Sequence, residues 1–253
     1  MPPKKIIAFD LDGTLTESKQ EMSPEMADLI SSLSMKTKIA IVSGGAYHQF
    51  KRQVLKQILD SKNEKNLFNI ILLPTSGSCR YEYNPKIEDW YEVYTHPFAN
   101  NTKNRVVAEL NNILDHKADF GIPMEHFGTY LEDRGNQVTL SALGQEAPIE
   151  KKKMWDPDTS KRKKIKDALE KAIPEIEANI GGSTSVDILP KGFNKAVGLK
   201  ILLQDKNLSI DDMLFVGDAI FEGGNDYSPF EAGIESKPVK NPADTALLIK
   251  SFL

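Results

Sequence analysis

The sequence predicts an α/β fold: a Rossmann-like, doubly wound parallel-sheet core with an inserted α+β domain. Three observations predict it. Continuous apolar runs at residues 6–9, 38–42, 68–73 and 213–216 each end at a polar residue, proline or glycine, the pattern of strands buried on both faces of a parallel sheet. Amphipathic stretches alternate with them, as a layer of helices on such a sheet requires. From about Tyr81 to Asp187 the pattern changes to short alternating segments around turn residues, which suits an antiparallel insertion.

The elements follow in order. The run at residues 6–9 delivers Asp10 at a strand end. Ser23 and Pro24 open a helix over residues 24–33: the serine oxygen can accept a first-turn amide, and proline lacks only an N–H that would have no partner there. The strand at 38–42 ends at Ser43, a helix follows over 47–59, and the strand at 68–73 ends at Pro74. In the insertion, residues 103–117 and 160–179 read as helices, and 129–132 with 137–141 as a hairpin turning through Asp133-Arg134-Gly135-Asn136. A second strand pair surrounds Gly181-Gly182. The expected division is residues 1–80 plus 189–253 for the core and 81–188 for the insertion, with Trp90, Tyr91 and Trp155 packed within or beside the inserted domain.

With 253 residues, the chain has room for one to two domains of roughly 150 residues. It is 40% hydrophobic and 27% charged, with 16 Gly and 14 Pro, which excludes collagen-like and wholly disordered classes. Thirty-two Lys and Arg against 36 Asp and Glu give a net charge of −4. No broad basic surface follows from that balance, so nucleic acid is not an expected partner. A single cysteine, Cys79, forms no intrachain disulfide, and it shares no zinc-ligand spacing with the four histidines. The first apolar run is too short for a signal or a membrane span, so the expectation is a cytoplasmic protein with no membrane partner.

Four segments can carry chemistry. Asp10-Leu11-Asp12-Gly13-Thr14 sets two carboxylates two residues apart at the carboxyl edge of a strand, where ligands of open α/β sheets bind. One can attack phosphorus, and the other can move a proton on and off the attacking or leaving oxygen. Ser43-Gly44-Gly45 offers a hydroxyl and backbone amides to a phosphate. Asp218, with Gly223-Gly224-Asn225-Asp226, suits a magnesium site built from oxygen ligands. Lys195, after Gly192-Phe193-Asn194, can balance the charge of the transferred group. The lysine-rich stretch at 151–171 reads as a solvated helix face.

Together, DLDGTLT, IVSGG, GFNK and VGDAIFEGGND, in that order, resemble the haloacid dehalogenase (HAD) superfamily of aspartyl-phosphate phosphotransferases. FGTYLEDRGNQVTLSALGQ and IGGSTSVDILPKGFNK are similar to the cap of eukaryotic-type phosphomannomutases. The resemblance implies Mg²⁺-dependent phosphoryl transfer on a phosphorylated hexose, interconverting mannose 6-phosphate and mannose 1-phosphate. Asp10 would be the nucleophile, Asp12 the general acid/base, and Ser43 with Gly44 the phosphoryl cradle. Lys195 would be the neutralising cation. Asp10, the Asp12 carbonyl and Asp218 would hold the metal, supported by Asn225 and Asp226. Arg134, Ser185 and Asp187, with Lys19 and Lys152, would contact the substrate, and a homodimer would form through the cap. The chain departs from the mutases at Lys19, Gln145 and Lys152, where such enzymes present arginines, and at Ser43, which precedes the glycine pair. An HAD-family sugar-phosphate phosphatase is therefore the alternative. A non-catalytic sugar-phosphate binding module is a third reading.

Overall fold

The computed structural model describes residues 4–18, 20–99 and 101–253, and it divides into two compact units, Met1–Thr95 with Asn194–Leu253, and His96–Phe193. The first is built on a seven-stranded sheet in the order β11-β10-β1-β2-β3-β4-β5. Its strands are β1 (Ile6–Asp10), β2 (Lys38–Val42), β3 (Ile70–Leu73), β4 (Cys79–Asn84), β5 (Asp89–Thr95), β10 (Met213–Gly217) and β11 (Glu235–Pro238). β11, β10, β1, β2 and β3 are parallel. β4 and β5 add as an antiparallel hairpin, Ile71 facing Glu82 and Glu82 facing Tyr91.

Both faces of the parallel strands are covered. Ile7 and Phe9 of β1 pack on one side with α1 (Pro24–Ser34) and with the helical stretch α2 (Tyr47–Phe50), a π turn (Lys51–Leu55) and α3 (Lys56–Asp60). Ile6 and Ala8 point to the other side, against Leu199, Leu202 and Leu203. This alternation is why the strands read as unbroken apolar runs. Ser23 caps α1 as its sequence foretells, its Oγ accepting from Met26 N–H at 3.2 Å.

The second unit holds α4 (Thr102–Asp115), β6 (Leu131–Asp133), β7 (Val138–Ser141), α5 (Ile149–Trp155), α6 (Ser160–Ala172), β8 (Ile176–Gly181) and β9 (Ser185–Pro190). Its antiparallel sheet runs β6-β7-β9-β8. Val138, Leu140, Val186 and Ile188 face a core shared with Val106, Leu110, Ile165 and Leu169 of α4 and α6. The opposite face is polar: Glu132, Thr139, Ser141, Ser185 and Asp187. The first unit resumes with α7 (Lys195–Asp205), then β10, α8 (Tyr227–Glu231), β11 and α9 (Pro242–Lys250).

Three expectations are corrected. The insertion begins at His96 rather than residue 81 and ends at Phe193 rather than 188, because the β4–β5 hairpin completes the first unit's sheet. Trp90 accordingly packs on that unit's core, while Trp155 is buried in the second unit and donates Nε1–H to Gly121 O at 2.8 Å. The helix expected over 160–179 stops at Ala172, since Pro174 offers no backbone donor to continue it, and the chain turns into β8.

Candidate active site

The parallel sheet has its topological switch between β1 and β10. From β1 the chain builds outward through β2 and β3, then returns to place β10 and β11 on the other side. The crevice at the carboxyl ends of the strands flanking such a switch is where open α/β sheets take ligands. Asp10 closes β1, Ser43 follows β2, and Asp218 follows β10.

Asp10, Lys195 and Asp226 form a buried triad with 2%, 3% and 0% of their surface exposed. Lys195 Nζ donates to Asp10 Oδ1 and, at 2.6 Å, to Asp226 Oδ1. It stands at the start of α7, whose N-cap Asn194 accepts from Val197 N–H at 3.2 Å. Asp226 Oδ2 accepts from Ala219 N–H at 3.1 Å, which folds the glycine-rich loop back under β10. On the more open side, Asp218 accepts a hydrogen bond of 3.4 Å from Thr14 Oγ1. Gly13 has φ +93°, and a Cβ there would lie 2.4 Å from Asp218 Oδ2, so glycine is required both by the turn and by the approach of that carboxylate.

The electrostatics follow from burial. Desolvation pushes the Asp10 carboxyl well above the ordinary range, and the charge of Asp226 adds to this against the pull of Lys195. Desolvation, with Asp226 nearby, lifts Asp218 to about 6. Burial would lower the Lys195 ammonium, but Asp10 and Asp226 outweigh it and hold the group charged. One oxygen from each of Asp10, Asp218 and Asp226 lies within 4.8 Å of the others, and Asp10 Oδ2 is buried without a hydrogen-bond partner. Three carboxylates facing one ammonium, with an orphaned oxygen among them, fit a hard divalent cation bound through oxygen. Asn225 lies in the turn directly before Asp226.

Ser43 is buried, and its Oγ accepts from Gly45 N–H at 3.1 Å. Gly44 lies between them. The loop is braced by Thr75 and Ser76, whose amides donate to Gly45 O at 2.9 Å and Ser43 O at 2.8 Å. Asp12, within the first motif, accepts from Gln53 Nε2 at 3.4 Å. Sequence reasoning missed Gln53, although a glutamine among the apolar positions Phe50, Val54 and Ile58 was the signal to follow. It also assigned Asp226 only a supporting place, whereas that carboxylate shares Lys195 with Asp10.

In the second unit, Arg134 sits between two carboxylates, Nη2 2.6 Å from Glu132 Oε2 and Nη1 3.8 Å from Asp187 Oδ1. Asp187 also accepts from Thr139 Oγ1 at 2.7 Å, and the Ser185 and Ser141 hydroxyls are 3.2 Å apart. Arg134, Asp187 and Ser185 are thus brought to one polar sheet face. Lys152, on α5, donates to Gln145 O at 3.2 Å, and partial burial lowers its pKa. Lys19 lies outside the described residues.

The chain is similar to several known proteins. Solved structures share the fold: the IMP-bound Plasmodium falciparum IMP-nucleotidase superposes with a TM-score of 0.73 at 19% identity, covering 98% of this chain and 68% of that one. A Streptococcus mutans protein does so with a TM-score of 0.64 at 16% identity, covering 98% of both. The phosphomannomutase of Encephalitozoon cuniculi is 29% identical over 251 residues, 96% of this chain and 91% of its own. Phosphomannomutase 2 of Dictyostelium discoideum is 27% identical over 255 residues, 98% and 96% of the two chains. A model of the eukaryotic phosphomannomutase family matches residues 26–253, a span that takes in the Ser43 loop, the polar sheet face, Lys195, Asp218 and Asp226. With nine-tenths of the chain matched and both units included, this chain belongs to the eukaryotic phosphomannomutase family of HAD-type phosphotransferases.

Proposed function

We propose that the chain interconverts mannose 6-phosphate and mannose 1-phosphate by Mg²⁺-dependent phosphoryl transfer through an aspartyl phosphate on Asp10. The observation that carries this reading is the buried Lys195 ammonium shared by Asp10 and Asp226. A cation fixed against Asp10 opposes the burial that pushes this carboxyl up and so favours its ionised, attacking form, and it balances the charge of the arriving phosphoryl group. Asp10, Asp218 and Asp226, with the Asp12 carbonyl and Asn225, would hold Mg²⁺. When bound, the ion supplies further positive charge against the phosphoryl oxygens.

An Asp10 oxygen attacks phosphorus, the bond from phosphorus to the sugar oxygen breaks, and Asp12 gives its proton to that oxygen. In the reverse half, Asp12 takes the proton from the incoming sugar hydroxyl as that oxygen bonds phosphorus and Asp10 is released. Ser43 and the Gly44 amide hold the phosphoryl oxygens. Arg134, Ser185 and Asp187 recognise the sugar and its second phosphate, with Lys19 and Lys152 adding charge. Homodimerisation through the second unit and a cytoplasmic setting belong to the same reading. Among the described residues no helix is long and apolar enough to cross a membrane.

A sugar-phosphate phosphatase is the second reading, and the observation behind it is Gln145 beside a partly desolvated Lys152. Neither offers the two-pronged charge of a guanidinium to a distal phosphate. Incubation of mannose 1-phosphate with Mg²⁺ and a hexose bisphosphate decides between the two. Mannose 6-phosphate supports the mutase; free mannose with inorganic phosphate refutes it.

A further inference from the structure

We infer that Gln53 is a positioning residue for Asp12, presented to it by the π turn of residues 51–55. The inference rests on Asp12 acting as the proton-transfer group of the function proposed above.

Three contacts support it. Gln53 is 2% exposed. Its Nε2 donates to Asp12 Oδ1 at 3.4 Å and to Gln20 O at 3.0 Å, while its backbone carbonyl accepts from Met22 N–H at 2.8 Å. One residue therefore clamps the chain at Gln20 and Met22, on the connection leading out of the Asp12 motif, and places an amide N–H on the Asp12 carboxylate. The Asp12 contact is at the long end of a hydrogen bond, as is common in catalytic sites without substrate.

The helix geometry explains how a glutamine arrives there. In the segment Lys51–Leu55 the helix widens, with Lys56 N–H bonded five residues back to Lys51 O. An α-helix advances about 100° per residue, so three consecutive side chains fan out over about 200°. Here Gln53, Val54 and Leu55 are all buried. The wide turn lets Val54 and Leu55 fill the core beside Phe50 and Ile58 while Gln53 reaches the site. π turns are rare and occur frequently at functional sites.

Proton donation matters only when the leaving oxygen is basic. A sugar hydroxyl needs the Asp12 proton as its bond to phosphorus breaks; p-nitrophenolate leaves with the electron pair and needs none. The test compares Asp10 phosphorylation by mannose 1-phosphate with the pre-steady-state burst of p-nitrophenolate from p-nitrophenyl phosphate. The proteins are the parent, Gln53→Met and Asp12→Ala, each with Mg²⁺. Misplacing Asp12 in Gln53→Met is expected to slow the sugar reaction about ten- to hundredfold, with KM little changed and the burst rate constant within about threefold of the parent. Both substrates are read on one preparation, so a loss of folded protein cancels in their ratio. Equal loss on both substrates, or loss on neither, overturns the role of Gln53. If Asp12→Ala also leaves the ratio unmoved, the assignment of Asp12 falls, and the inference falls with it. If Asp12→Ala shifts the ratio and Gln53→Met does not, only the inference is refuted.

Discussion

Replacing Lys195 with methionine keeps the aliphatic stem and removes the ammonium shared by Asp10 and Asp226. Both carboxylates are almost fully buried, so water cannot take over the role of the lysine. Removing one partner of a buried ion pair costs about 3–5 kcal/mol, because the remaining charge is left uncompensated. For a protein of this size each kcal/mol lowers Tm by about 2–4 °C, so Lys195→Met is expected to melt roughly 6–20 °C below the parent in chelator. The repulsion it exposes is between two carboxylates, so neutralising one must restore part of the loss. Calorimetry in EDTA on Lys195→Met, Asp10→Asn and the double variant measures this directly. The double variant should melt above Lys195→Met alone, a non-additivity that neighbouring groups produce and distant ones do not. Turnover of Lys195→Met should fall by at least about a hundredfold, the usual cost of removing a preorganised charge from a transition state. A Tm within 2 °C of the parent, roughly the shift from a single kcal/mol, or strict additivity in the double variant, would refute the electrostatic account of the triad.

Other perturbations read other parts of the site. Asp218, raised to about 6, binds a proton more tightly when folded than when unfolded. The stability it lends metal-free protein is therefore present below pH 4 and lost as pH rises through 6, and Asp218→Asn should flatten the Tm profile across that window in EDTA. Gly13→Ala forces a Cβ against Asp218 at a φ of +93°. The strained backbone should cost about 1–3 kcal/mol by urea denaturation and weaken Mg²⁺ affinity by calorimetric titration, whereas unchanged affinity would separate the turn from the metal site. Arg134→Ala leaves Glu132 and Asp187 facing each other. It is expected to raise KM for hexose phosphates about tenfold or more, as loss of a charge-assisted contact does, while p-nitrophenyl phosphate turnover stays within about threefold; equal loss on both substrates would make the arginine structural.

What the sequence discloses and what it hides have physical causes. The parallel strands are legible because burial on both faces leaves no polar alternation, as in β2 and β3, and because each ends on a residue that changes the chemistry: Asp10, Ser43, Asp218. The β4–β5 hairpin is misassigned for the converse reason. Cys79–Asn84 and Asp89–Thr95 alternate like the strands of the insertion, and only the long-range pairing of Ile71 with Glu82 assigns them to the other sheet. A local period cannot report which sheet a hairpin joins. Gln53 is legible only as a polar residue among apolar helix positions; the π turn and its partners Asp12 and Gln20, 41 and 33 residues away, are not announced by residues 47–60. Asp226 is understated because its segment reads as an ordinary glycine turn, and its importance arises from a contact with Lys195, 31 residues away.

The segment after β3 ties the Ser43 loop to α7. Thr75, Ser76 and Gly77 take φ of +47°, +56° and +83° in succession, a conformation that costs non-glycine residues about 1–2 kcal/mol each. All three are buried, so solvent does not relieve the strain. Their neighbours account for it. The Thr75 and Ser76 amides carry the carbonyls of Gly45 and Ser43, and a Cβ on Gly77 would come within 2.8 Å of Gly198 Cα in α7. A regular strand or helix in this position would aim its amides elsewhere and hold α7 at a distance. The strained turn is therefore the wedge that fixes the Ser43 loop relative to the helix whose first residue is Lys195. Through these backbone contacts it links the Ser43 loop to the helix that carries the cation facing Asp10.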